Sequence, residues 1–222
     1  TLEIPLATMH PEEDQIPGAN RNIYTLRRWI DVSNNDAGVT LVSHDAPLLE
    51  LCDMHAEQEW LEHLPLTNTH FYSYVMNNYW FTNYKASQGG PAIFRYSMWM
   101  HDGSCKPSES TRFADKAASP LCVVPLRVTD PNDSSLPPAS MSLASIDAPH
   151  VLIQNIKWAE SGEGFIIRLR ELDGASTNAQ VRFPLWDNFE WRRCDIVERP
   201  IEGEAGKANQ GVLPIAIRGK EI

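Results

Sequence analysis

Apolar and polar residues along this chain alternate with a period of two far more often than with a period of 3.6, and the alternating stretches are short. Residues 23–32, Ile-Tyr-Thr-Leu-Arg-Arg-Trp-Ile-Asp-Val, place Tyr24, Leu26, Ile30 and Val32 on one face of an extended strand. Asn34-Asn35-Asp36-Ala37-Gly38 supplies turn residues before Val39-Thr40-Leu41-Val42, which predicts a hairpin. A second hairpin is predicted from His150–Trp158 and Gly164–Leu172 around the polar turn Ala159-Glu160-Ser161-Gly162-Glu163. In its second strand Phe165, Ile167 and Leu169 share a face, with Arg168 and Arg170 on the other, as in a sheet with one packed and one solvated side. Val181-Arg182-Phe183, Phe189–Val197 and Val212–Arg218 add further strands. Helical spacing is found within residues 108–119, at Glu109, Phe113 and Ala117, and Pro120 closes it. Strands in runs without interleaved helices predict an all-β fold, an antiparallel β-sandwich or barrel rather than a parallel α/β sheet.

Asp130 to Pro149 breaks this pattern. Pro131, Asn132, Asp133, Ser134, Ser135, Pro137, Pro138 and Pro149 cannot sustain a regular ladder of hydrogen bonds. The expected organisation is a larger β part over 1–136, a linker over 137–146 that includes a short strand within Met141–Ile146, and a smaller β domain over 147–222. No internal repeat is evident.

Composition narrows the function. Of 222 residues, 42% are hydrophobic and 22% charged, enough to build a core of ordinary size. The net charge of −10 repels phosphate backbones, and the basic clusters are no longer than Arg27-Arg28 and Arg192-Arg193, so nucleic acid is not an expected partner. No stretch approaches the ~18 consecutive apolar residues of a membrane span. The start, Thr1-Leu2-Glu3, has neither a basic region nor an apolar run, and the lack of an initiator Met suggests a fragment or processed form. Cys52, Cys105, Cys122 and Cys194 are widely spaced with no C-x-x-C pair, which argues against a zinc ribbon. Unframed thiols of this kind fit a reducing compartment, and a cytoplasmic location is expected.

The densest chemical signal is Asn77-Asn78-Tyr79-Trp80-Phe81-Thr82-Asn83-Tyr84, followed by Gln88-Gly89-Gly90 and Phe94-Arg95-Tyr96. Amides satisfy sugar hydroxyls and aromatic faces cover the apolar faces of sugars, which makes Trp80, Asn83, Tyr84 and Arg95 the candidate substrate-binding residues. Core packing competes with this role, because large aromatics on strands are most often buried. Asp31, Asp45, Glu171 and Asp173 are nominal acid or base candidates that read as solvated carboxylates. His55, His63 and His70, with Asp53 nearby, are not spaced as a compact ligand turn. Ser43, His44 and Asp45 are adjacent, which is not how triads are assembled, since neighbouring strand residues point to opposite faces.

The stretch Asn78-Tyr79-Trp80-x-Thr82-Asn83-Tyr84, then Gln88-Gly89, then Phe94-Arg95-Tyr96-Ser97 resembles the N-x-W-x-T-N…Q-G…F-x-Y signature in the β region of glycoside hydrolase family 38, the class II α-mannosidases. Arg28-Trp29-Ile30-Asp31-Val32, Gly38-Val39-Thr40-Leu41 and Asp45-Ala46-Pro47 are similar to a strand pair upstream of it. Val151-Leu152-Ile153-Gln154-Asn155-Ile156-Lys157, Glu160, Gly162-Glu163-Gly164, Arg168-Leu169-Arg170-Glu171 and Leu213-Pro214-Ile215-Ala216-Ile217-Arg218 resemble the small terminal β domain. The resemblance implies part of a large sandwich of the galactose-mutarotase-like kind followed by a small C-terminal sandwich. It also implies retaining, metal-dependent hydrolysis of α-mannosides by a full-length enzyme. The carboxylates and zinc ligands of that chemistry lie on an N-terminal α/β domain with no counterpart in this chain. No catalytic residue, metal ligand or cofactor is therefore carried over to these residues. The implied partners are that catalytic domain and α-mannoside carbohydrate, with homo-oligomerisation left open, and a free-standing carbohydrate-binding sandwich is the alternative. If strands are missing, the larger part should show an intermolecular β-contact or a large apolar patch, while residues 147–222 should be closed and well packed.

Overall fold

The computed structural model describes the chain apart from residues 56–58, 77–82, 84, 86, 126–137 and 139. Among the described residues strands dominate, the strand pairings are antiparallel, and there is one helix. The all-β expectation holds. The chain divides into two compact units, Thr1–Leu121 and Cys122–Ile222.

In the first unit β1 (Leu2–Ile4), β2 (Ala7–Met9), β4 (Trp29–Ser33), β5 (Ala37–Ser43) and β8 (Tyr96–Asp102) form a sheet in the order β2-β1-β4-β5-β8. A smaller sheet, β3-β6-β7, is built from β3 (Tyr24–Thr25), β6 (Leu48–Leu51) and β7 (Phe71–Ser73). The single strand expected over 23–32 is split between these sheets. At the crossing Leu26 N–H donates to the Pro47 carbonyl (2.7 Å) and Arg27 N–H to the Glu3 carbonyl (2.8 Å), so the backbone stays satisfied while it changes sheet. The side-chain alternation survives the split: Tyr24, Leu26 and Ile30 are buried with Leu2, Leu49 and Leu51, and Val32 packs against them.

The β4–β5 hairpin forms as expected, with Trp29 opposite Val42 and Ser33 opposite Gly38. Its turn is set by Asn34, whose Oδ1 accepts from the N–H groups of Asp36 (2.8 Å) and Ala37 (3.0 Å). Trp29 points to the face opposite Ile30 and is fully buried with Val42 and Ala114. Ala114 lies on α1 (Pro107–Ala118), which begins on a proline and carries Glu109 in its first turn and Lys116 in its last, as the helix dipole favours. The buried face of α1 is made of Ser108, Ser110, Thr111 and Ala114, whereas Glu109 is exposed and pairs with Lys106 (3.0 Å). Small side chains let the helix lie close enough for Ser110 Oγ to reach Thr40 Oγ1 (3.0 Å).

In the second unit β9 (Ser145–Ile146), β12 (Thr177–Arg182) and β15 (Val212–Ile217) form a sheet in the order β15-β12-β9. The strand expected within 141–146 is thus confined to its last two residues. The predicted hairpin is β10 (Val151–Trp158) with β11 (Phe165–Glu171), and Ile153, Ile167 and Leu169 pack against Val181, Phe183 and Leu213 of the sheet side. A second hairpin pairs β13 (Phe189–Cys194) with β14 (Pro200–Ala208).

Several expectations need correcting here. The strand β14 is not among the expected strands: Pro-Ile-Glu-Gly-Glu-Ala-Gly-Lys-Ala has no apolar alternation, because the strand is exposed along most of its length, with only Gly206 and Ala208 covered, and it is held by its backbone ladder to β13. On β11 the outward arginine Arg170 is buried and the inward Phe165 is exposed. Burial there follows position along the strand as well as face. Phe165 lies at the turn end, while the chain end folds back at the other, where Glu171 N–H donates to the Glu221 carbonyl (2.9 Å). Asp31 and Glu171 are buried rather than solvated. Finally, the smaller part is not closed: a groove of about 2260 Å³ runs beside the β13–β14 hairpin, lined by residues that include Ile167, Trp186, Phe189, Ile196, Val197 and Ile201.

Candidate functional site

Of the residues expected to touch substrate, Trp80 and Tyr84 lie outside the described residues, as does most of the aromatic–amide motif around them. Asn83 is exposed. Arg95 is exposed as well, and its guanidinium grips Asp45 through Nε to Oδ2 (3.0 Å) and Nη2 to Oδ1 (2.8 Å), while its backbone N–H donates to Oδ2 (2.8 Å). The Arg95 side chain and then its N–H hold the Asp45 carboxyl down to about 2. This two-pronged contact ties the loop after β5 to the strand entering β8, so Arg95 is occupied by a structural partner.

Around the same loop, Ser43 Oγ donates to the Ala46 carbonyl (2.5 Å) and belongs to the turn. His44 Nε2 instead meets Ser97 Oγ at 2.9 Å. A serine beside a histidine is half of a nucleophilic arrangement. The adjacent carboxylate, Asp45, is committed to Arg95 and does not orient that imidazole. The sequence trio is therefore dispersed by the fold, as strand geometry requires.

A buried polar cluster not foreseen as a unit lies between β4, β5, β8 and α1. Asp31 accepts from Ser33 Oγ (2.7 Å) and Thr40 Oγ1 (2.5 Å), and meets His101 Nε2 at 2.8 Å. Burial pushes the Asp31 carboxyl up, but its bonds to Thr40, Ser33 and His101 outweigh that and leave it below the usual range. For His101 burial pulls the pKa down, and the bonds to Asp31 and to the Asp102 carbonyl outweigh it, so the net shift is upward. The imidazole has room because the residue opposite it in the register is glycine: a Cβ on Gly38 would sit 2.4 Å from His101 Cε1. Trp99, on the same strand as His101, has its ring 5.9 Å from Phe113 and 4.8 Å from His101 and is half-buried.

The second unit places aromatic rings where the sequence pattern put core. Trp158 and Phe165 face each other across the β10–β11 hairpin, stacked at 4.1 Å between centroids, with 66% and 46% of their surfaces exposed. The stack continues through Trp186 (5.3 Å from Phe165) and Phe183 (5.1 Å from Trp186). The signal for this pair was present in the sequence: residues that flank a hairpin turn symmetrically become cross-strand neighbours. Beside the stack Lys157 Nζ pairs with Glu160 (2.5 Å) and Glu198 (2.8 Å).

Glu171 is a further buried carboxylate, and its oxygens accept backbone N–H groups from Asp173 (2.9 Å), Gly174 (2.7 Å) and Lys220 (2.7 Å). Burial raises its pKa but these bonds lower it further, so the net shift is downward. Its role is to pin the chain end to the turn after β11. The four cysteines are unpaired thiols. Among the described residues, no group of three or more His, Cys, Asp or Glu side chains is placed to hold a metal ion, and no helix is long and apolar enough to cross a membrane.

Residues 150–222 match the family model of the glycosyl hydrolases family 38 C-terminal beta sandwich domain. The resemblance read from Val151–Lys157, Arg168–Glu171 and Leu213–Arg218 is thereby shown for this stretch, which carries the β10–β15 strands of the second unit. No curated protein matches the chain.

Proposed function

We propose that this chain is the C-terminal, non-catalytic β region of an α-mannosidase, supporting an upstream catalytic domain and shaping its sugar cleft. The observation that carries this reading is the match of residues 150–222 to the C-terminal sandwich of family 38. The groove of the second unit supports it, since the exposed Ile196, Val197 and Ile201 on its wall are apolar surface that an adjoining domain would cover. So do the carboxylates. Asp31 is held by hydroxyls and an imidazole, Asp45 by Arg95, and Glu171 by backbone amides, so each serves structure. Retaining hydrolysis needs a free carboxylate nucleophile and a partner acid about 5 Å away, and on this reading both belong to the upstream domain, together with its zinc.

The test is turnover of an aryl α-mannoside by the purified chain, with and without added zinc or cobalt, and then by a family 38 catalytic domain produced with and without the chain. The expected result is no turnover by the chain alone, and a catalytic domain that gains soluble activity in its presence. Turnover by the chain itself, or a catalytic domain indifferent to it, overturns the reading.

A second reading, a free-standing carbohydrate-binding sandwich, is favoured by one observation, the exposed Trp158–Phe165 stack. Titration with mannose oligosaccharides separates the two. Binding that is lost on Trp158→Ala supports the module, and the absence of binding supports the enzyme part.

A further inference from the structure

The β13–β14 hairpin has no third strand among the described residues, and it is attached to its unit unevenly. At its root Ala208 is buried, and Phe189 and Trp191 pack against Val181, Phe183 and Leu213. Toward its tip the apolar side chains are bare: Ile196 and Val197 are 65% and 60% exposed. Among the described residues, the polar links from this part of the hairpin to the rest of the unit are Arg193 to Glu221, and Glu198 to the β10–β11 turn. The root is thus held by packing and the tip by charge.

The turn at the tip does not need the side chain of Glu198. Asp195 builds it, with Oδ1 accepting from the N–H groups of Val197 (3.0 Å) and Arg199 (2.9 Å) and Oδ2 from Arg199 Nε (2.9 Å). Glu198 has φ +66°, in the left-handed region that glycine and asparagine adopt more readily than a glutamate. Local conformation therefore disfavours glutamate here, and its carboxylate acts outside the hairpin. Oε2 accepts the Glu160 N–H (2.8 Å), Oε1 meets Lys157 Nζ (2.8 Å), and the side chain is 14% exposed. Lys157 and then the Glu160 amide hold this carboxyl below its ordinary range. Glu160 lines the groove with Phe165 and Ile167, and Glu198 lines it with Ile196, Val197 and Ile201, so the contact joins the two hairpins that wall it.

We propose that the tip of this hairpin, residues 194–201, is a flap and that Glu198 is its clasp. The flap swings about the Arg193–Glu221 tie, and the bonds of Glu198 to Lys157 and to the Glu160 amide hold it against the β10–β11 turn. The clasp thereby sets the width of the groove. Because the clasp is an ion pair at the surface, salt loosens it, whereas the strand ladder and the aromatic root are indifferent to salt. With the clasp open, Ile196, Val197 and Ile201 leave the wall formed by Phe165 and Ile167, and the groove widens at its turn end. This inference is independent of the enzyme-part reading.

The experiment is backbone NMR relaxation and amide exchange on the full chain, at low salt and at about 1 M sodium chloride. Glu198→Asn keeps a residue suited to left-handed backbone but is too short and uncharged to reach Lys157. Lys157→Met removes the cation from the other side and leaves the turn untouched. In the parent at low salt the tip is expected to have order parameters of about 0.85, falling below about 0.6 in Glu198→Asn and in the parent at high salt. Lys157→Met, which leaves the Glu160 bond in place, is expected to give an intermediate value. The Glu160 amide should exchange about tenfold faster in Glu198→Asn, the factor set by one hydrogen bond to a charged group. The ladder amides at the root of β13 and β14 should keep their protection throughout. A tip that stays ordered in both variants overturns the proposal, as does one that loosens in Glu198→Asn but not in Lys157→Met, which would assign its order to the turn. Indifference to salt overturns the clasp, and loss of protection at the root would show a hairpin that unfolds and overturns the flap. None of these outcomes bears on whether the chain supports a mannosidase.

Discussion

Replacing Asp31 by alanine should be among the most damaging single changes in the first unit, and its size follows from the groups it leaves behind. Ser33 is exposed, so water replaces its bond at little cost. Thr40 and His101 are different: the threonine is fully buried and keeps only its contact with Ser110 Oγ (3.0 Å), and the His101 side chain is 7% exposed, so its Nε2 finds no solvent partner. A buried donor left unsatisfied costs about 1–3 kcal/mol, and removal of one member of a buried charged pair costs about 3–5 kcal/mol in total. The two routes agree on roughly 4 kcal/mol, a large share of the ~5–15 kcal/mol that holds a domain folded. With a urea dependence of ~2 kcal/mol per molar, the midpoint should fall by about 2 M. Hydrogen exchange of the β4 and β5 amides during urea unfolding reads the first unit by itself. The pH dependence supplies a second readout. His101 has its pKa raised from 6.5, so its contribution is complete below that value and is lost as pH rises through the folded value. Asp31 has its pKa lowered from 3.8, so its contribution is complete above that value and is lost as pH falls through the lower one. The parent should therefore be most stable between about pH 4 and 6.5, and Asp31→Ala should flatten both limbs. A midpoint within ~0.2 M of the parent at pH 6, or unchanged limbs, would refute the account of this cluster.

Gly38→Ala should disturb the same cluster from the side, since its Cβ would meet the imidazole at 2.4 Å. The NMR titration of His101 should then move toward the ordinary histidine value, and an unshifted titration would show that the ring does not depend on that space. Trp29→Ala removes a fully buried indole together with its bond to Thr111 Oγ1 (3.3 Å) and should cost about 3–5 kcal/mol by chemical denaturation. A cost below ~1 kcal/mol would mean that α1 does not close over it. Glu171→Ala frees the amides of Asp173, Gly174 and Lys220, and should release the chain end to rapid hydrogen exchange while β12 and β15 stay protected. Uniform protection across the unit would contradict that local role.

The sequence by itself determined the class of the fold, both of the hairpins whose strands alternate, the helix, and the family likeness of the terminal domain. Each of these rests on near neighbours. Asn34 bonds amides two and three residues on, β10 and β11 are joined by a short polar turn, and a period of two needs only one strand to be read. What the sequence could not show were features that depend on a second element. The 23–32 strand reads as continuous, yet it divides because Pro47 and Glu3, distant in the chain, accept its amides at the crossing. Asp31 looks like a surface carboxylate until β5, β8 and α1 close over it. β14 has no pattern because a strand exposed along most of its length has no face to mark, and its ladder to β13 defines it. Phe165 keeps the parity of a core residue but lies past the end of the sheet that would cover it. Side-chain parity is local, whereas burial depends on what another part of the chain brings to that face, and only the tertiary structure decides that.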